Sequence, residues 1–255
     1  MKLRGSLTRH FWKHGKRMLA LIQQPVIELS DQIGPQELKD QVKHLLRPEF
    51  IDSYLKDMWV QSGSVTAMDT IRQVERVSKK GDSELVMEHW TEKYRRYTRQ
   101  RSNYFAAKVL SIMDTQDRAI NNIIDLVLDQ ATREGWGAAK TGSNLKRELN
   151  EGLATMNTYQ AERIARTEVN SASNAAGWDV MKEMGVAKSK TWVTMEDEKV
   201  RPLHQEYMGR GDQELDYEYA PGLKYPNDPD CEDGGEVINC RCTPFWNIES
   251  VGEKT

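Results

Sequence analysis

The stretch GVAKSKTWVT, residues 185–194, marks the point at which the character of the sequence changes. Before Gly185, apolar side chains recur mostly at helical spacing, and the glycine itself is a natural helix stop. After it, residues 190–194 alternate in the manner of a strand. Residues 209–236 are rich in Gly, Pro, Asp and Tyr and show neither period, which predicts a long loop, and such loops are uncommon unless they are functional.

The sequence upstream of this point predicts helices separated by turns. Pro35 and Pro48 each favour a helix start, because proline fits the first helical turn. We expect breaks at Ser62-Gly63-Ser64, between two helices near Met113, at residues 135–137 and near Asn157. Downstream, Val237-Ile238 and residues 243–246 are candidate short strands. The predicted fold is therefore mainly α, an elongated helical N-terminal region followed by a small α+β, loop-rich C-terminal domain.

Composition and charge support two parts with different partners. The 255 residues are 38% hydrophobic, below the usual share of about 45–50%, so we expect a thin core that is either spread over long helices or completed by a partner. Residues 1–160 hold 25 basic and 20 acidic side chains, whereas residues 161–255 hold 11 and 19. We predict a helical, partner-binding region over residues 1–140 and a second domain over residues 141–255. No apolar run of about 18 residues is present, so no membrane span is expected.

The three cysteines all lie in the last quarter of the chain. The motif Asn239-Cys240-Arg241-Cys242 brings two thiols close enough to share a soft metal. Zinc binds four ligands in tetrahedral geometry, and Cys231 and His204 are the further candidates. The spacing is not that of a standard zinc finger. The alternative is that the thiols act as small buried apolar groups that stabilise a compact turn.

A second pattern, Asp197-x-x-x-Arg201-x-x-His204, follows the candidate strand. An acid, a base and an imidazole within eight residues could orient a water molecule or hold a phosphate. The alternative is a turn stabilised by ion pairs. No nucleotide-binding glycine loop, zinc-protease motif or serine-nucleophile motif is present.

A third pattern is a basic and aromatic stretch between Trp90 and Phe105, in which tyrosines alternate with five bases. Arginines along a helix can neutralise phosphates and aromatic rings can stack on bases, which favours non-specific nucleic-acid contact. The alternative is a core stripe with a solvated basic face. The five candidate nucleic-acid ligands are Lys93, Arg95, Arg96, Arg99 and Arg101.

In their order and spacing, several of these pieces resemble the phage Mu F-like minor head protein family, also called phage head morphogenesis proteins. The resemblance covers about residues 140–246. Its signature residues in this sequence are Arg166, Thr167, Glu168, Asn170, Trp192, Asp197, Arg201, His204, Asn239, Cys240, Arg241 and Cys242. Many relatives carry a histidine shortly before the Asn-Cys-Arg-Cys motif, where this chain has Gly235 to Ile238.

The resemblance implies a non-enzymatic virion component inside the capsid, present in the host cytoplasm during assembly. Its implied partners are the portal and other capsid components, with non-specific contact to packaged DNA also expected. No cofactor is required for such a role, although zinc remains possible at the cysteines. The competing interpretation is a metal-dependent hydrolase or nuclease built on Asp197, His204 and the cysteines.

Overall fold

The computed structural model describes residues 2–78 and 87–248, and the predicted mainly α fold is confirmed. About three quarters of the residues in these two ranges are helical, and a small sheet lies near the C-terminus. The long helices are α1 Lys2–Leu29, α2 Pro35–Leu45, α3 Pro48–Ser78, α4 Met87–Gln100, α5 Ser102–Glu134 and α6 Ala138–Met184.

Most helix ends lie where the sequence predicts them. Helices α2 and α3 begin at Pro35 and Pro48, since proline lacks only an N–H that the first turn does not use. Helix α5 ends at Gly135, whose φ of 66° is the left-handed conformation of a helix C-cap. Helix α6 ends before Gly185, which adopts a φ of 59° for the same reason.

Other predicted breaks are wrong. Residues 62–64 continue α3, because Gly63 lets the helix approach the ring of Tyr94 so closely that a Cβ would lie 2.7 Å from it. The break expected near Met113 lies instead at Arg101, between α4 and α5. Asn157 does not end a helix, because its amide is buried inside α6 and exchanges hydrogen bonds with Gln23.

The C-terminal part contains three short strands and two short helices: β1 Ala187–Val193, α7 Pro202–Gly209, β2 Asp212–Glu214, α8 Gly234–Val237 and β3 Thr243–Ile248. The strands form one antiparallel sheet in the order β2-β1-β3. The strand predicted at Val237-Ile238 is wrong. Val237 ends α8, which the Asp233 carboxylate caps by accepting a hydrogen bond from the Gly235 N–H at 2.7 Å.

The chain divides into two compact units, each built from segments distant in sequence. The helical unit comprises His10–Lys56 and Arg101–Glu162. The mixed unit comprises Met1–Arg9, Asp57–Gln100 and Arg163–Thr255, as far as these residues are described. The predicted division along the chain at residue 140 lies inside α6 and stays a prediction.

Each unit has its own core. In the helical unit, buried apolar side chains accompany a buried polar layer of Gln23, Gln116, Asn157 and Gln160. In the mixed unit, one cluster surrounds Trp90 and Tyr94, and a second, here called the Trp192 cluster, contains Trp192, Tyr207, Tyr219, Leu223, Cys240 and Cys242. Among the helices within residues 2–78 and 87–248, none is both long and apolar enough for a membrane crossing.

Candidate functional site

One face of α6 holds the Asn-Cys-Arg-Cys turn. Arg166 donates from Nη1 to Oδ1 of Asn239 at 2.8 Å, and Thr167 Oγ1 accepts from the Asn239 N–H at 2.9 Å. One turn further along the helix, the Asn170 amide donates to the Cys240 carbonyl at 2.9 Å. Asn239 itself has a φ of 59°, a conformation that asparagine tolerates better than most residues. The helix therefore supplies the partners that an irregular turn lacks.

The same helix also orders the long loop. Ser171 donates to the Asn227 carbonyl at 2.8 Å, and Asn174 donates to the Pro226 carbonyl at 2.7 Å. The Asn227 side chain, fully buried and at a φ of 61°, then donates to the Val237 carbonyl at 2.8 Å. Ser171 and Asn227 are functional positions that the sequence analysis missed, since an asparagine in a loop carries no signal of its distant partner.

Glu168, on the same helix, forms a hydrogen bond with a residue of α3. Its Oε2 accepts a hydrogen bond from the indole Nε1 of Trp59 at 2.9 Å, and both side chains are buried. A carboxylate so deep in a protein needs a donor, because an unpaired buried acceptor is costly. This signature residue thus joins α6 to α3.

Two arginines, Arg241 and Arg201, form hydrogen bonds that stabilise the Asn-Cys-Arg-Cys turn and the residue before it. Asp197 accepts two hydrogen bonds from Arg241, each of 2.6 Å, and the guanidinium lowers the pKa of that carboxyl below its usual value. Arg201 donates to the Ile238 carbonyl at 2.6 Å. The geometry agrees with the ion-paired turn, because the Asp197 carboxylate is already occupied by Arg241.

His204 meets the two cysteines of the motif. Its Nδ1 lies 3.6 Å from Sγ of Cys240 and 3.5 Å from Sγ of Cys242. The three residues are at most 3% exposed, and their ligand atoms lie within 4.8 Å of one another. We call these three residues the Cys-His cluster. The edge of the Trp192 ring packs against the imidazole, with centroids 5.0 Å apart.

The other imidazole nitrogen is bound by Glu236, whose Oε2 lies 2.8 Å from Nε2 of His204. A carboxylate only accepts hydrogen bonds, so Nε2 carries the proton and the Nδ1 lone pair faces the thiols. The sequence analysis missed this role of Glu236, which is the last residue of the predicted long loop over residues 209–236.

The pKa values of the Cys240 and Cys242 thiols are shifted in opposite directions. A hydrogen bond from Cys240, with a further contribution from His204, lowers the pKa of the Cys242 thiol to about 5. The same hydrogen bond, followed by burial, raises the pKa of the Cys240 thiol.

The fourth predicted metal ligand, Cys231, is not part of the Cys-His cluster. It is half-buried at the margin of the Trp192 cluster, and its thiol donates to the Asp233 carbonyl at 3.4 Å. Three of the four predicted ligands therefore come together.

Lys190 is a further residue with no signal in the sequence. It is buried in β1, and its ammonium donates to the carbonyl of Tyr217 at 2.7 Å and to that of Leu215. Burial lowers the pKa of its amine to about 8. The side chain holds the start of the long loop against the sheet.

The basic and aromatic stretch is divided between core and surface. Trp90 and Tyr94 are fully buried in the mixed unit, and Tyr97 stacks on Trp59 with centroids 5.0 Å apart. These rings belong to the core and are not available to stack on bases.

The five bases of this stretch differ in their surroundings. Lys93 forms ion pairs with Asp179 at 3.4 Å and with Glu183. Arg95, Arg96 and Arg99 are exposed, and the first and last of them contact Glu92. Arg101 is half-buried at the break between α4 and α5.

Comparison with known proteins adds one curated relative and one family. A 122-residue segment is 31% identical to NAD(+)--arginine ADP-ribosyltransferase EFV of Enterococcus faecalis (strain ATCC 700802 / V583), over 46% of this chain and 24% of the relative. The chain thus spans about a quarter of the length of that relative. No solved structure matches the chain.

The model of the family described as Phage Mu protein F like protein matches residues 122–245. The match begins inside α5, earlier than the resemblance predicted from about residue 140, and includes α6, β1, β2, the first half of β3 and the Cys-His cluster. The resemblance inferred from the signature residues is therefore confirmed, and residues 122–245 are a Phage Mu protein F like segment.

Proposed function

We propose that this chain is a phage minor head protein that lies inside the capsid, binds the portal and acts in assembly and genome delivery. The family match supports the broader statement, a phage head morphogenesis protein with capsid components as partners and the virion as its location. The single observation that carries the proposal is that signature residues from α6 and from the segment before α7, namely Arg166, Thr167, Asn170, Asp197 and Arg201, form hydrogen bonds with the Asn-Cys-Arg-Cys turn or with Ile238 just before it.

Exposed apolar side chains beside the signature support a protein partner. Leu203 precedes His204 in α7, and Ile238 precedes Asn239 in the turn, yet these two side chains are 40% and 45% exposed. Phe245 on β3 is 58% exposed. Large apolar side chains that are exposed beside the hydrogen-bonded turn are suited to a protein–protein interface, because their burial there is favourable.

The proposal describes a structural protein and not an enzyme. His204 is 1% exposed and its ring is enclosed by Trp192, which leaves a substrate no access to the imidazole. Asp197, the acid of the competing hydrolase interpretation, is paired with Arg241. The activity named for the Enterococcus relative belongs to a protein three quarters of which lies outside the match.

The test deletes the gene in the phage or prophage that encodes this chain and restores it from a plasmid. We expect the wild-type protein to co-purify with the portal ring and procapsids, and the deletion to lower the yield of infectious particles at least tenfold. Particles of full infectivity from the deletion would contradict the proposal.

A matched pair of variants locates the interface. Ile238→Asp places a charge on the exposed side chain beside the turn, whereas Leu126→Asp does so on α5, where the side chain is 68% exposed. Incorporation of the Ile238 variant into procapsids is expected to fall about tenfold, with that of the Leu126 variant unchanged. Equal incorporation of both would exclude this surface.

Contact with packaged DNA is a separate part of the proposal, supported by the exposed Arg95, Arg96 and Arg99 on α4. Exposed ion pairs are weak, so phosphates can replace Glu92 as their partner. We expect weak, sequence-independent binding that is lost between about 50 and 200 mM salt. Replacing the three arginines by glutamine is expected to reduce the salt slope by nearly 3, because each phosphate contact contributes about 0.9. Arg133→Gln, at a side chain 70% exposed on α5, is the control.

A further inference from the structure

The dimensions of the Cys-His cluster match those of a tetrahedral metal site. Zinc lies about 2.3 Å from a cysteine sulfur and about 2.0–2.1 Å from a histidine nitrogen. At a tetrahedral angle, these lengths place sulfur and nitrogen about 3.6 Å apart. The two separations from Nδ1 of His204 are 3.6 Å to Cys240 and 3.5 Å to Cys242.

Hydrogen bonding alone accounts for only one of these contacts. Nδ1 of a neutral imidazole has a single lone pair and can accept from one thiol. Both sulfurs nevertheless approach this nitrogen at the same distance, in a site where all three residues are at most 3% exposed. One cation shared by the three atoms would explain the convergence of both sulfurs.

Glu236 supplies the outer part of such a site. Metal-binding histidines commonly donate their second ring N–H to a carboxylate, which orients the ring and makes the ligating nitrogen more basic. Glu236 occupies this position, 2.8 Å from Nε2 of His204, with its side chain 13% exposed. This carboxylate fixes the ring in the orientation in which Nδ1 faces both sulfurs.

We propose that Cys240, Cys242 and Nδ1 of His204 bind one zinc ion. Two thiolates and an imidazole are the donor types that zinc prefers. Binding displaces the protons of the two thiols to solvent and leaves the oxidation state of every atom unchanged. The ion joins α7 to the turn that precedes β3, so it stabilises the C-terminal part of the mixed unit whether or not the proposed function is correct.

The first experiment measures metal in the full-length protein. We expect elemental analysis after reconstitution with zinc, desalting and mild chelation to find one ion per chain. Cobalt in place of zinc is expected to give the near-ultraviolet charge-transfer absorption of two cobalt–thiolate bonds. Absence of retained zinc, or a cobalt spectrum without thiolate absorption, overturns the proposal.

Three ligand variants are compared with a cysteine control. Cys240→Ser, Cys242→Ser and His204→Ala are each expected to lose the retained ion. Cys231→Ser is the control and is expected to keep both the ion and the full thiolate absorption, because Cys231 lies outside the Cys-His cluster. Loss of one third of the thiolate absorption in Cys231→Ser would show a three-cysteine site and overturn the proposed ligand set.

A second pair of variants remains informative if the ligand variants do not fold. Glu236→Gln keeps the shape of the side chain and is expected to weaken zinc affinity about 10–100-fold. Glu232→Gln, at an exposed acid of the same loop, is expected to leave it unchanged. Equal zinc affinity of these two folded variants would contradict the role of Glu236 and the metal-bound state of His204.

Discussion

The helical unit and the C-terminal segment of the mixed unit, residues 185–248, are stabilised in different ways. In the helical unit, long helices satisfy their own backbone groups, and a repeated apolar spacing is enough to form a core. The C-terminal segment has few hydrogen bonds within regular helices or strands, so side chains donate hydrogen bonds to its backbone carbonyls. Asn170 binds one carbonyl, Arg201 another, and Lys190 two more.

This difference explains where the family signature is recognisable. A helix core accepts many apolar residues of suitable size, so its sequence can change while its pattern persists. A carbonyl in an irregular turn needs a donor of one length at one position. All of the signature residues accordingly lie at or after Arg166, in the mixed unit, although the family match itself begins at residue 122.

The largest expected effect is in the Trp192 cluster. Trp192→Ala removes a fully buried indole that packs on His204, Tyr207 and Tyr219. We expect the free energy of unfolding to fall by about 3–5 kcal/mol, as for other large core truncations. Urea unfolding measures it. The control Leu126→Ala, at a side chain 68% exposed on α5, is expected to change it by less than about 0.5 kcal/mol.

A smaller effect is expected from two asparagines of the same helix. Asn170→Leu removes the nearer donor of the buried Cys240 carbonyl and leaves it the 3.4 Å bond from Asn227, which is expected to cost about 1–3 kcal/mol. Asn144→Leu removes a bond to the Lys140 carbonyl on the exposed side of α6 and is expected to change stability by less than about 0.5 kcal/mol. Similar thermal shifts for the two variants would remove the distinction between the two regions.

The pH dependence of stability tests the buried carboxyl group of Asp228, which lies in the long loop. Burial raises the pKa of Asp228 from 3.8 to about 6, although its oxygens accept from the Asp230 and Lys224 N–H groups. Between these pH values the folded state binds more protons than the unfolded state, so this group's contribution to stability falls as the pH rises. The expected slope is at most about 1.4 kcal/mol per pH unit.

Asp228→Asn is expected to lose this slope between about pH 4 and 6. Asp125→Asn, at a side chain 55% exposed on α5, serves as the control and should follow the wild-type profile. Parallel profiles for wild type and the Asp228 variant, measured by thermal unfolding, would contradict the assignment.

The smallest expected effect distinguishes the contribution of the Asn239 backbone conformation to stability from the contribution of its side chain. Asn239→Ala and Asn239→Gly both remove the acceptor of Arg166, but only glycine adopts a φ of 59° without steric cost. We expect the alanine variant to be less stable than the glycine variant by about 1 kcal/mol. Equal stabilities would show that the turn relaxes out of this conformation when the side chain is removed.

Much of the fold could be predicted because helix ends are local. Pro35, Pro48 and Gly185 act through their own backbone preferences, and each marks an observed boundary. The breaks expected at Gly63 and Asn157 do not occur, because a distant ring and a distant amide favour a continuous helix there. Local preference is outweighed wherever a residue has a tertiary partner.

The sequence by itself determined the helical class, the position where the chain turns to strands, and the set of signature residues. Only the tertiary structure decided which of them meet. It placed His204 beside Cys240 and Cys242, and it placed the Glu236 carboxylate within hydrogen-bond distance of the imidazole. It left Cys231 outside the Cys-His cluster. The physical reason is that helix and strand signals depend on neighbours a few residues apart. A cluster of buried polar groups depends on segments more than thirty residues apart, whose contact is set by packing.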